Sequence, residues 1–66
     1  MNRIKDVLEE KGIKRIWLVE KLGKSFNTVN SYVQNRQQPR LAVLNQIAEI
    51  LNVDIRELIT SNKTSN

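Results

Sequence analysis

Only two glycines occur in the 66 residues, Gly12 and Gly23, and each follows a short run of apolar residues at helical spacing. Ile4, Val7 and Leu8 fall at i, i+3 and i+4, and Gly12 can take the positive φ that ends a helix. Leu18 and Leu22 share one face of a second segment, Arg15 to Leu22, which Gly23 closes in the same way. Helix stops so close together exclude a long helix. They commit the chain to short helical units joined by tight turns.

The remaining elements follow from their start signals. Asn2 is a candidate N-cap for the first helix, and Ser25 is a strong one for a third helix running to about Gln34. Residues 35–39 read as a loop, with Pro39 pre-setting the entry to the next helix. A fourth helix spans about Leu41 to Leu51, with Leu41, Leu44, Ile47, Ala48 and Leu51 as its inner stripe. Asp54 and Glu57 form a capping-box pair ahead of a short last helix, Ile55 to Ile59. Val53 and Leu58 stand at the hydrophobic-staple positions around that start. Strand signals are missing: the sequence has no sustained alternation and no Asn-Gly or Asp-Gly turn. The expectation is an all-α fold, five short helices in an orthogonal bundle over residues 1–59. Residues 60–66 have no apolar anchor after Ile59 and read as a flexible polar tail.

A chain of this length makes one domain, and such a domain buries only about 60% of its unfolded surface. With no Cys and no His, a disulfide framework, a Cys/His zinc site, a thiol nucleophile and an imidazole base are all excluded. The acids Asp6, Glu9, Glu10, Glu20, Glu49, Asp54 and Glu57 read as solvated faces and caps. No Gly-rich phosphate loop accompanies them, so neither an enzyme, a cofactor nor a small-molecule substrate is expected. Met1-Asn2-Arg3 leads straight into a mixed polar pattern and not into a signal peptide. The apolar runs are far shorter than the ~20 residues that span a bilayer. A cytoplasmic protein that does not enter membranes is the expectation.

The net charge is +4, and its distribution says more than its sum. Lys11, Lys14, Arg15, Lys21, Lys24, Arg36 and Arg40 face the single acid Glu20 between positions 11 and 40. From Leu41 onward the balance reverses, with Arg56 and Lys63 against Glu49, Asp54 and Glu57. One electropositive half points to a polyanion partner. Those cations lie across a turn and not along one amphipathic helix, which argues for nucleic acid over a membrane surface.

The second and third helices, joined through Gly23, make a helix-turn-helix unit. Val29, Tyr32 and Val33 define the inner side of the third helix. Asn27, Asn30, Ser31 and Gln34 then occupy its outer side, all hydrogen-bonding and all uncharged. Asn and Gln can pair with the adenine edge, and Ser with several bases. An ordinary solvent face would favour Glu, Lys and Arg, which are better helix formers. An Asn- and Ser-rich face gives up propensity for a purpose.

The landmarks Leu18-Val19, Leu22-Gly23-Lys24-Ser25, Val29, Tyr32, the Asn35-Arg36 turn, Pro39 and Ile47 through Val53 together resemble the Xre family, the Cro and phage-repressor type of helix-turn-helix domain. The resemblance covers about Asn2 to Ile59. It implies a DNA-binding domain of the phage-repressor type whose third helix enters the major groove, dimers on two-fold-related half-sites, and a role as repressor or controller of transcription. Base contacts are then expected from Phe26, Asn27, Asn30, Ser31 and Gln34. Phosphate contacts are expected from Lys14, Arg15, Lys24, Thr28, Arg36 and Arg40. Val53, Ile55, Leu58 and Ile59 become candidates for a homodimer interface, and a palindromic double-stranded operator the partner.

Four positions depart from the family pattern. Val19 stands where Ala is usual. Lys14 occupies a position normally held by a Ser or Thr N-cap, at a cost of about 1 kcal/mol. Ile16 and Trp17 replace residues that are usually polar. An alternative role follows from that last pair: a protein-interaction module, such as an antitoxin-like partner, anchored on Ile16 and Trp17.

Overall fold

The computed structural model describes residues 1–59. Four α-helices follow one another: α1 (Ile4–Lys11), α2 (Arg15–Leu22), α3 (Phe26–Val33) and α4 (Leu41–Leu51). A 3₁₀ helix, Ile55–Leu58, closes the described chain. The proposed tail over 60–66 lies outside the described residues. Both glycines sit where the sequence puts them, at the ends of α1 and α2, with φ of 67° and 74°. A Cβ at either position would strain the left-handed backbone.

Each helix donates one face to a single core. Ile4, Val7 and Leu8 come from α1, Leu18 from α2, and Val29, Tyr32 and Val33 from α3. Leu44, Ile47, Ala48 and Leu51 come from α4, and Leu58 from the 3₁₀ helix. α2 packs against both α3 and α4, α1 against α3, and the 3₁₀ helix against α1 and α4. Burial of this apolar surface, and not helix propensity, holds such short helices together.

The structure corrects the sequence reading at several points. The last element is a 3₁₀ helix of four residues, not an α-helix reaching Ile59. Its bonds are short-range: Glu57 N–H donates to the Asp54 carbonyl at 2.9 Å and Ile59 N–H to that of Arg56 at 3.3 Å. Ile59 is extended and forms an isolated antiparallel bridge with Asn2, beside a 2.8 Å bond from Arg3 N–H to the Leu58 carbonyl. The segment is too short to repay an α-helical nucleus, and pairing with the chain start satisfies its backbone instead.

Leu41, expected on the inner stripe of α4, is 67% exposed, because the first residue of that helix lies ahead of the turn that packs. Arg3, not Asn2, stands at the start of α1. The Asn2 side chain nevertheless reaches that helix, since its Oδ1 accepts the Ile4 N–H at 3.0 Å.

Candidate nucleic-acid interface

The local sequence builds α3 as a rigid, presented element. Ser25, in extended conformation, accepts the Thr28 N–H on its hydroxyl at 3.2 Å and caps the helix. Val29, Tyr32 and Val33 anchor the inner face in the core. Asn35, at φ 61°, then turns the chain away, and Arg36 N–H closes the helix end on the Ser31 carbonyl at 2.9 Å. Asparagine tolerates this left-handed geometry better than most residues.

The sequence-predicted base contacts fall together on the outer face of α3. Asn27 and Gln34 are exposed, and Asn30 and Ser31 are half-buried. Phe26, the first residue of the helix, keeps 47% of its surface in solvent and contributes nothing to the core. This row holds donors, acceptors and one apolar ring, and no charge.

The predicted phosphate contacts surround that row. Lys14 immediately precedes α2 and Arg15 is its first residue; Lys24 lies in the turn before α3. Arg36 follows α3, and Arg40 immediately precedes α4. The first turns of α2, α3 and α4 contain no acid. Acids do stand in the first turns of α1 (Asp6) and of the 3₁₀ helix (Glu57). Among the described residues, the salt bridges are Arg3 with Asp6 and Glu10, both at 3.4 Å, and Arg56 with Asp54 at 3.1 Å. Lys14, Arg15, Lys24, Arg36 and Arg40 therefore have no carboxylate partner there. Electropositive helix starts that carry cations and lack acids suit an anionic backbone.

The hydrogen bonds from Arg56 hold the Asp54 carboxyl below the usual carboxylate range, and Asp54 in turn raises the guanidinium of Arg56. That pair belongs to the cap of the 3₁₀ helix, where Asp54 also accepts the Arg56 N–H at 2.8 Å.

Two arrangements escape the sequence reading. Arg15 donates from Nη1 to Asn30 Oδ1, which ties the first residue of α2 to the middle of α3. Asn2, 8% exposed, is the centre of the second. Its Nδ2 donates to the Tyr32 carbonyl at 2.9 Å and to Gln38 Oε1 at 3.0 Å. Asn35 Oδ1 accepts the Asn2 N–H at 2.8 Å, and Asn35 Nδ2 donates to the Asn2 carbonyl at 3.2 Å. The chain start is thus pinned to the end of α3. An asparagine at a left-handed turn is the only trace this leaves in the sequence. Thr28, a predicted phosphate contact, is half-buried, and its hydroxyl accepts from Ser25 Oγ at 2.9 Å.

The residues proposed for a dimer interface separate. Leu58 is fully buried in the core of the monomer and is not available to a partner. It fills the staple position beneath the last cap, so its side chain turns inward. Val53 and Ile55 are half-buried, and Ile59 is 46% exposed. On another surface, Ile16 (50% exposed) and Trp17 (37%) line a shallow groove of about 440 Å³ with Gly12, Ile13, Lys14 and Glu20. The Lys21 ammonium lies 5.5 Å from the centre of the Trp17 ring.

Among the described residues no helix is long and apolar enough to cross a membrane, and no acidic group clusters as a metal site would require. The sequence has no match among curated proteins. A solved structure of a candidate DNA-binding protein from Bacteroides fragilis is similar at 50% identity with a TM-score of 0.88, over 91% of this chain and 97% of that one. The model of the Cro/C1-type helix-turn-helix DNA-binding domain matches residues 3–63. With its capped α3 set by a glycine turn against α2, the chain belongs to that family.

Proposed function

We propose that the protein is a sequence-specific transcriptional regulator, a repressor or controller, that binds double-stranded DNA with α3 in the major groove. One observation carries this reading: an uncharged hydrogen-bonding face on α3, bordered by cations that have no carboxylate partner among the described residues. Phe26, Asn27, Asn30, Ser31 and Gln34 read base edges, and Lys14, Arg15, Lys24, Thr28, Arg36 and Arg40 hold the phosphates. The protein works as a homodimer on a palindromic operator, with half-site centres about 34 Å apart. Ile59, with the half-buried Val53 and Ile55, offers the apolar surface for that pairing. Such a regulator acts in the cytoplasm, where its DNA is.

Selection of bound sequences from a randomised duplex library is the direct test, with affinity for the winner followed against salt. The expected result is a palindrome bound far better than random DNA. Asn27→Ala should then cost about 1–3 kcal/mol on the selected site and little on random duplex. Arg40→Ala should weaken both and lower the salt slope by about one. Equal losses on both duplexes for the two variants would refute the assigned roles.

The groove at Ile16 and Trp17 favours a second reading, a protein-interaction module of the antitoxin-like kind. If no motif emerges and duplex binding vanishes at physiological salt, that groove becomes the functional surface.

A further inference from the structure

A guanidinium carries five N–H donors and no acceptor. The amide atom of Asn30 that faces Arg15 is therefore its oxygen, and the orientation of this amide is settled by chemistry. Oδ1 is engaged from the α2 side, and among the described residues no bond engages Nδ2. Both residues are half-buried, which shields a charge-assisted bond from water and holds the amide against rotation. Asn27, one turn earlier on the same face, differs: no side-chain bond among the described residues fixes its amide, and it stays adaptable.

Reading adenine requires an Asn to accept from the N6 amino group through Oδ1 while it donates to N7 through Nδ2. At Asn30 one lone pair of the accepting atom is already taken by a cation, so an adenine amino group would have to share Oδ1 with the donors of Arg15. Guanine presents O6 and N7, both acceptors, on the same edge. We infer that Arg15 is a specificity-determining residue acting through Asn30, presenting its amide NH₂ group to bound DNA so that this position selects guanine over adenine. The inference rests on α3 being the helix that reads the bases.

The full chain is assayed against its selected duplex and against every single base-pair variant of that duplex, as wild type, Arg15→Ala, Asn30→Ala and the double variant. Arg15 lies in the first turn of α2 and outside the core, and circular dichroism checks that each variant keeps its helices. The wild type should show one guanine per half-site whose exchange for adenine weakens binding about tenfold. Arg15→Ala and Asn30→Ala should each shrink that ratio to within about twofold, and the double variant should lose little more, a coupling of about fivefold. Whatever phosphate binding Arg15 supplies is removed equally from all sequences and cancels in the ratio. Arg15→Lys keeps the charge, so it should restore affinity for random duplex while the guanine preference stays reduced.

If the guanine-to-adenine ratio is the same in wild type and Arg15→Ala at every position, or if Asn30 selects adenine, the inference fails while the DNA-reading function stands. If the wild type prefers no duplex over any other, the inference falls together with the function beneath it.

Discussion

Replacing Asn2 with alanine should destabilise the domain out of proportion to the size of the side chain. The backbone bonds between Asn2 and the Asn35 amide survive the change, as do those of the bridge to Ile59, so only the side-chain bonds are lost. Ile4 N–H, at the first position of α1, has no partner within the helix, and its residue is fully buried. Without Oδ1 it becomes an orphan, at about 1–3 kcal/mol. The Tyr32 carbonyl loses the Nδ2 bond but keeps the Asn35 N–H at 3.1 Å, so its loss is smaller, about 0.5–1 kcal/mol. Gln38 is exposed, and water replaces what it gives up.

The sum is about 1.5–4 kcal/mol, set against a total of roughly 3–10 kcal/mol for a domain of this length. Each kcal/mol is worth about 4–8 °C here, so the melting point should fall by roughly 6–32 °C. Thermal melts and urea titrations followed by circular dichroism measure it. Gln38→Ala, at the exposed end of the same network, should cost less than about 0.5 kcal/mol. A loss under about 0.5 kcal/mol for Asn2→Ala, or an equal loss for Gln38→Ala, would refute the accounting.

Three further outcomes are expected. Lys14→Ser should stabilise the free domain by about 1 kcal/mol through a restored N-cap while weakening duplex binding, and a variant that improves neither helix stability nor weakens binding contradicts both halves of that reasoning. Leu58→Ala should cost about 2–5 kcal/mol because it opens a hole in the core, whereas Ile59→Ser should leave the stability within about 0.5 kcal/mol and shift self-association in sedimentation; reversed effects would exchange their roles. The lowered pKa of Asp54, held down first by its side-chain bond to Arg56, supports the fold above the usual carboxylate range and loses that support as pH falls through the lowered value. Asp54→Asn keeps a good cap and removes the charge, so its urea stability should converge on the wild type in acid; a gap that stays constant down to pH 2 would remove Asp54 from the acid limb.

What the sequence shows well is whatever a local rule determines. Gly12 and Gly23 end helices because few other residues reach that backbone, and Ser25 and Asp54 start them because their side chains take an orphan N–H. The outer row of α3 is legible for the same reason, since a helix fixes which residues share a face. What it hides depends on contacts between distant segments. Asn2 looks like a cap; its bonds to Tyr32 and Gln38 and its pairing with Asn35 exist only once the bundle brings the chain start beside the end of α3. Leu41 and Leu58 share the same apolar chemistry, yet one lies ahead of the packed turn and the other beneath a cap. The Arg15 bond to Asn30 depends on the angle between two helices, which no periodicity encodes.

The starts of the helices separate stability from function. Where a helix start serves the fold alone, it should attract acids and a side-chain cap. The 3₁₀ helix has both, in Glu57 and Asp54; α1 begins at Arg3, which gives no cap bond, but Asp6 pairs with that cation and Asn2 Oδ1 takes the Ile4 N–H. α2 and α4 begin instead at Lys14 and Arg40, with no side-chain cap and no acid in the first turn. A missing cap costs about 1 kcal/mol, and a cation at a helix N-terminus costs about 0.3–1 kcal/mol more. For a domain this small, such losses are a noticeable fraction of the total. α3 keeps its serine cap although Lys24 precedes it, so the helix proposed to read the bases is capped without DNA. On the proposed function, the sites where stability is given up are those where a phosphate would supply the missing negative charge, and the site where it is kept is the one that must hold its shape in advance.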